Sequence, residues 1–270
     1  MPTNSATSVR PPAVAGLFYP GDAAGLSRTV GELLGAATAA TGTPPKALIA
    51  PHAGYIYSGP IAANAYALLR PLRDVVKRVV LLGPTHRVAV RGLALPSVSR
   101  FASPLGPVEI DTAAVEQLAR LPQVVVSDEA HALEHSLEVH LPFLQTVLAD
   151  FKLVPLAVGY ASAEEVAAVL DAVWGGPETL IVVSSDLSHY LAYKDAQALD
   201  RHTVDAVLGL ATDIDHEQAC GATPVCGLAL AAKQRRLKPE LLDLRNSGDT
   251  AGDKNRVVGY ASFAFYENAS

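Results

Sequence analysis

The chain has 270 residues, half of them apolar and 6% aromatic, with a formal net charge of −6. That length and composition suit one large α/β domain with buried strands, and the acidic balance argues against nucleic acid or an anionic membrane as partner. Two cysteines exclude a disulfide framework and, with no secretory signal at the start, fit a cytoplasmic protein with reduced thiols.

Residues 1 to about 10, rich in Ser, Thr and Pro, read as a flexible N-terminal arm, leaving 11–270 as a single domain. A helix is predicted over Leu26–Leu34, followed by a small-residue loop from Ala37 to Pro45. Ala47 to Leu69 carries no Asp, Glu, Lys or Arg and has the length of a membrane span. Pro51, Gly54, Gly59, Pro60 and Asn64 interrupt it, so a strand, a loop and a buried helix over Pro60–Leu69 account for it better, and no membrane partner is expected. Short strands at Gly92–Leu95 and Pro107–Ile110 precede a helix, Thr112–Leu121, capped by Asp111. Ser136–Leu148 reads as helical with a bend or restart at Pro142. Leu153–Val158 is a strand and Ala163–Trp174 an amphipathic helix closed by Gly175 and Gly176. Helices at Asp195–Leu210 and Val225–Arg236 lead to strands at Glu240–Arg245 and Arg256–Phe265, split by the polar loop Asn246–Asn255. This alternation predicts a three-layer fold, a mixed and mostly parallel central sheet with helices on both faces.

Three apolar runs of β type end in small-residue turns that carry a histidine: Lys46–Ala50 before His52, Arg78–Leu82 before His86, and Thr179–Val183 before His189. On neighbouring strands of an open α/β sheet, all three imidazoles reach the carboxyl-terminal edge, where such sheets bind ligands. Imidazole is the commonest metal ligand and a ready base near neutral pH. The bland alternative is a hydrogen-bonded histidine stiffening each loop. Asp186 and His189 form D-x-x-H, read either as an orienting carboxylate beside an acid/base histidine or as part of a helix cap. A Ser-His-Asp hydrolase is disfavoured because no G-x-S-x-G elbow occurs.

The densest polar cluster is His131, Glu134, His135, Glu138 and His140. Glu134 precedes His135 and Val139 stands where a second histidine would be needed, so a zinc-peptidase H-E-x-x-H helix is disfavoured. A polar helix start bordering a cavity remains, with plain surface charge as the alternative. Asp249, in the loop before the last strand, could complete a two-His, one-carboxylate face of the kind that holds Fe(II). Cys226, near a helix start, reads as a buried small residue.

Val9–Pro20, Pro51–Tyr55, Gly83–His86, Glu134–Pro142, Ser184–His189 and Asn246–Asp249 together resemble the Memo family, in order and from about Val9 to Phe265. The resemblance implies a fold similar to that of class III extradiol catechol dioxygenases, non-haem iron enzymes with two histidines and a glutamate. It implies a metal site at His52 and His86, with His189 matching the dioxygenase acid/base histidine. Vertebrate members complete their site with a cysteine in the loop before the last strand. Here that stretch, Gly248-Asp249-Thr250-Ala251, has none, so Asp249 or a water is expected as third ligand. The implied cofactor is a divalent metal, Fe(II) foremost with Zn or Cu as alternatives. Implied partners are an AMMECR-type protein and a radical-SAM protein. The expected function is that of a non-haem iron redox protein or dioxygenase-type oxidoreductase acting on a small molecule. The alternatives are a non-catalytic module binding a peptide or small ligand in the same pocket, and a metal-dependent hydrolase.

Overall fold

The computed structural model describes residues 8–38 and 43–267. Its strands are β1 (Val9–Arg10), β2 (Ala47–Ala50), β3 (Arg78–Pro84), β4 (Leu93–Leu95), β5 (Arg100–Ser103), β6 (Gly106–Glu109), β7 (Val124–Val126), β8 (Lys152–Val158), β9 (Thr179–Ser184), β10 (His189–Leu191), β11 (Lys238–Asn246) and β12 (Val257–Tyr266). Helices are α1 (Ala23–Ala36), α2 (Tyr55–Ala67), α3 (Thr112–Leu118), α4 (Asp128–Ala132), α5 (Leu141–Val147), α6 (Ala163–Ala172), α7 (Tyr193–Leu208), α8 (Ala222–Arg235) and α9 (Ser247–Thr250).

The large sheet runs β10-β12-β2-β9-β3-β8-β4-β7, with β11 on the other side of β12, and β1-β5-β6 form a small second sheet. Parallel pairing is concentrated in the centre, where β2, β9, β3 and β8 all run the same way, while β12 and β4 flank them antiparallel. Central strands buried on both faces need apolar side chains throughout. Leu48 and Ala50 of β2 and Val79 and Leu81 of β3 pack on the face covered by α1, α2 and α5. Ala47, Ile49, Val80 and Leu82 pack on the opposite face against α6 and α8. The three-layer expectation, drawn from the alternation of strands and helices, therefore holds, with successive side chains of each central strand packing on opposite faces. Among the described residues no helix is long and apolar enough to cross a membrane.

Local chemistry explains most boundaries. Ser162 and Glu165 form a reciprocal capping box at α6, and Asp111 accepts the Ala114 N–H at the start of α3. α2 begins five residues before the expected Pro60, which lies inside it. The helix tolerates Pro60 because the carbonyl that loses its donor belongs to Ile56, on the exposed side. The polar loop after β11 contains the short helix α9, and no helix starts at Ser184–Asp186, so the capping alternative there is not realised.

Two expectations change. Residues 1–7 of the proposed arm lie outside the described residues, but Val9 and Arg10 are strand β1, paired in parallel with β5. The polar cluster at 131–140 is not one helix either: α4 ends at Ala132, and a 3₁₀ turn over Glu138–His140 leads into α5, with Pro142 in its first turn. The cause is a buried charge. Glu138, fully buried, accepts Arg10 Nη1 at 2.5 Å, the Ala13 and Val14 N–H groups at 2.7 and 2.9 Å, and the Tyr19 hydroxyl at 2.5 Å. Arg10 also donates to the carbonyls of His131 and Glu134, at 2.9 and 2.6 Å, and lies over the Phe101 ring. Those bonds trade regular helix for a segment stapled to the N-terminal strand.

Truncating Glu138 strands a buried guanidinium. Glu138→Ala should lower stability by about 3–5 kcal/mol, read from urea unfolding midpoints. A loss below about 1 kcal/mol, within the range of an exposed pair, would show that the pair does not carry the segment.

Candidate metal centre

The sheet order sets the site. β9 lies between β2 and β3, so the turns carrying His52 and His86 flank the end of β9. Their imidazoles converge over it, with ring centroids 5.2 Å apart. His135 joins them from the stapled segment, stacked on His86 at 4.7 Å and edge-on to His52 at 5.4 Å.

A carboxylate fixes each turn from beneath. Glu134 accepts the His86 N–H at 2.6 Å, His86 Nδ1 at 2.9 Å, and the His135 and Ser136 N–H groups at 2.9 Å each. Burial opposes its charge, but the hydrogen bonds from the His86 ring and main chain and from the Ser136 N–H hold its pKa down at about 2. An ionised Glu134 accepts only, so His86 donates from Nδ1 and leaves Nε2 to face the cluster. Asp186 holds the other turn, accepting the His52 N–H at 2.7 Å, with its second oxygen 3.9 Å from His52 Nε2. Burial, which outweighs that bond, raises the pKa of Asp186 to about 7. His52 Nδ1 lies 2.6 Å from Ser184 Oγ, which also contacts His140 Nε2 at 2.8 Å.

The third candidate donor is Cys220. Its Sγ lies 3.3 Å from His52 Nε2, and His52, His86 and Cys220 offer ligand atoms all within 4.8 Å of one another. Metal–nitrogen and metal–sulfur bonds of zinc length in tetrahedral geometry place N and S roughly 3.5 Å apart, so the donor set fits an ion. The loop before α8 delivers Cys220 through its N–H to the Asp186 carbonyl, at 3.2 Å, and through the Gly221 N–H to Ser185 Oγ, at 3.0 Å. Only glycine permits this approach, since a Cβ at Gly221 would sit 2.5 Å from the Ser184 carbonyl oxygen. Burial, reinforced by Asp186, raises the Cys220 pKa, so metal uptake would release its proton. His86, Glu134 and His135 form a second cluster, but Glu134 is already committed to four donors.

Asp249 does not join the histidines. It forms a capping box with Asn246 at α9, hydrogen-bonds the Tyr193 hydroxyl, and faces a small cleft shared with Asp200 and Arg201. His189 opens β10, opposite Val258, and is half-buried, with the Leu187 carbonyl as its partner. Burial lowers its pKa, keeping it neutral at pH 7. Asp186 is thus engaged with the His52 turn. A cleft of about 650 Å³ opens at His86 and Cys220, lined further by Thr85, Arg87, Tyr160 and His216. The sequence did not single out Cys220 as a ligand or Ser184 as a partner of one, and it offered Glu134 only as part of a polar cluster bordering a cavity. The one available signal was Glu134 beside His135; nothing local marks Cys220.

The buried imidazoles make stability pH-dependent. Burial lowers His131 and His135 to about 4 and His140 to about 3, and lowers His52 well below its usual range. Their unfolded counterparts take up protons from about pH 6.5 downward. Stability is therefore full above about pH 7 and falls as pH drops toward 4, by roughly 1 kcal/mol per pH unit for each histidine. Asp186, raised to about 7, acts oppositely and offsets one of them. Urea midpoints in chelator should fall steeply between pH 6.5 and 4.5. A flat profile there would show that these rings are not held neutral.

A family profile described as "Memo-like protein" matches residues 10–264. A MEMO1 family protein of Aquifex aeolicus is 37% identical over 95% of this chain and 99% of its own length. Another, from Methanothermobacter thermautotrophicus, is 36% identical over 94% and 99%. The fold is similar to that of an uncharacterized protein from Escherichia coli K12, seen in a crystal structure, with a TM-score of 0.54 and 14% identity, covering 81% of this chain and 98% of that one. The sheet, the order of its motifs and these full-length matches agree: the chain belongs to the Memo-like family.

Proposed function

We propose that this protein binds one first-row transition-metal ion between His52, His86 and Cys220 and uses it in redox chemistry on a small molecule. The observation that carries the reading is the meeting, within 4.8 Å, of donors from three distant parts of the chain, at the mouth of a cleft. When bound, such an ion supplies Lewis acidity and, for iron or copper, a change of oxidation state.

The chain's own groups do the rest. Glu134 and Asp186 hold the two histidine turns before any ion arrives. His189, neutral at pH 7, is the base for a substrate hydroxyl. Among the described residues no carboxylate lines the cleft, and Arg87 and His216 stand at its wall, so it favours a neutral or anionic small molecule over a cation. Two imidazoles and a thiol differ from the two-His, one-carboxylate face of Fe(II) oxygenases and lean toward softer ions. Cys220 therefore favours a second reading, a hydrolase with three protein ligands and an open position on Zn²⁺.

Elemental analysis of protein purified without added metal should find one equivalent. His52→Ala and His86→Ala should each abolish it, Cys220→Ser should weaken binding at least about tenfold, and Asp249→Asn should leave it intact. Unchanged metal content in both histidine variants would refute the site. Anaerobic loading with Fe(II), then oxygen uptake on catechols and related substrates, supports the redox reading. Turnover of ester substrates with Zn²⁺ alone would transfer the assignment to hydrolysis.

A further inference from the structure

Ser184, the last residue of β9, is fully buried, and its single hydroxyl has three polar neighbours. Its Oγ lies 2.6 Å from the Ser136 carbonyl, 2.6 Å from His52 Nδ1 and 2.8 Å from His140 Nε2. A carbonyl oxygen only accepts, so the hydrogen between Oγ and the Ser136 oxygen must be the serine's own. That leaves Ser184 with two lone pairs and no further proton. Both imidazoles must therefore donate to it, His52 from Nδ1 and His140 from Nε2. The remaining nitrogen of His140 agrees: Nδ1 is 2.8 Å from the Tyr66 hydroxyl, which can donate to it. Tyr66 and His140 are themselves buried, so water does not supply an alternative partner.

We infer that Ser184 is a positioning residue that locks His52 as its Nδ1–H tautomer, so that the Nε2 lone pair points at the cluster before any metal binds. The inference rests on the reading of His52 as a ligand only for its functional meaning; the proton assignment stands without it. His86 reaches the same state by a different device, donating Nδ1–H to the ionised Glu134. Both proposed ligands thus offer Nε2, one set by a carboxylate and one by a neutral hydroxyl. The polarity of the network has a second consequence. Passing a proton from His52 through Ser184 to His140 would require an acceptor at His140 Nε2, and that nitrogen already carries a hydrogen. The row from His52 to Tyr66 is a lock on ring orientation and not a proton exit into the core.

The test is long-range ¹H–¹⁵N spectroscopy of metal-free, histidine-labelled protein, with His52 and His140 assigned from His52→Gln and His140→Gln. At pH 7 the wild type should show His52 with a pyrrole-type Nδ1 and a pyridine-type Nε2, and His140 with the reverse. Ser184→Ala should mix the His52 tautomers and weaken Co²⁺ binding about 10- to 100-fold, the range for loss of a ligand's outer partner. Ser184→Thr, which keeps the hydroxyl, should restore a single tautomer. A protonated His52 Nε2 in the wild type overturns the inference, and so does a Ser184→Ala protein that keeps one His52 tautomer. If the wild-type tautomers are as stated but Co²⁺ does not bind, the inference stands and the metal-site reading fails. The wild-type spectrum decides even if the Ser184 variants do not fold.

Discussion

The structure depends on the burial of a charged pair. Glu138 sits in the interior with no access to water, and ionised carboxylates are tolerated there only when paired and fully hydrogen-bonded. Arg10, two backbone N–H groups and Tyr19 meet that demand, and all four come from the first twenty residues. The requirement forces the N-terminal strand and the 131–140 segment together. In doing so it prevents that segment from closing into a regular helix. Glu134, His135, Ser136 and His140 are thereby displayed toward the ends of β2, β9 and β3 rather than distributed around a helix axis.

From that clamp outward, the candidate centre is built in shells of decreasing polarity of the holding group. Glu134 grips His86 through both main chain and ring, Asp186 grips the His52 turn through its main chain, and Ser184 grips the His52 ring. Each outer partner is buried, and Glu134 and Ser184 have their hydrogen-bonding capacity accounted for, the condition under which a polar network stiffens a site rather than weakening it. The cost is visible in the imidazoles. Several are held neutral by burial, which favours metal coordination but removes stability in acid. The candidate centre is preorganised, with ring orientations set by buried groups behind the imidazoles.

Much of the fold was legible in the chain. The β-type runs before His52 and His86, the capping Asp111, the restart at Pro142 and the glycines after α6 each correspond to a local rule, and the structure follows them. The strand-end placement of His52 and His86 was legible for the same reason, because parallel strands bring their carboxyl ends to one edge. His189 was legible only in part. It follows the right strand, but the chain runs on past β9 in the same direction to pair with β12, as the antiparallel β10–β12 ladder and the Gly259 N–H to Ser188 carbonyl bond record.

The sequence by itself determined the layered α/β fold, the family and two of the three candidate donors, because hydrophobic period, turn chemistry and ordered motifs are properties of neighbouring residues. Only the tertiary structure decided the third. Asp249 looked suitable by position, yet its carboxylate is consumed locally by the Asn246 cap and Tyr193. Cys220 carried no motif, and it arrives from 168 residues beyond His52 because the Gly221 backbone can press against the end of β9. No short-range pattern encodes such an approach. It follows from how the loops above β9 pack once the sheet has formed, and that packing selects a thiol over a carboxylate beside the two histidines.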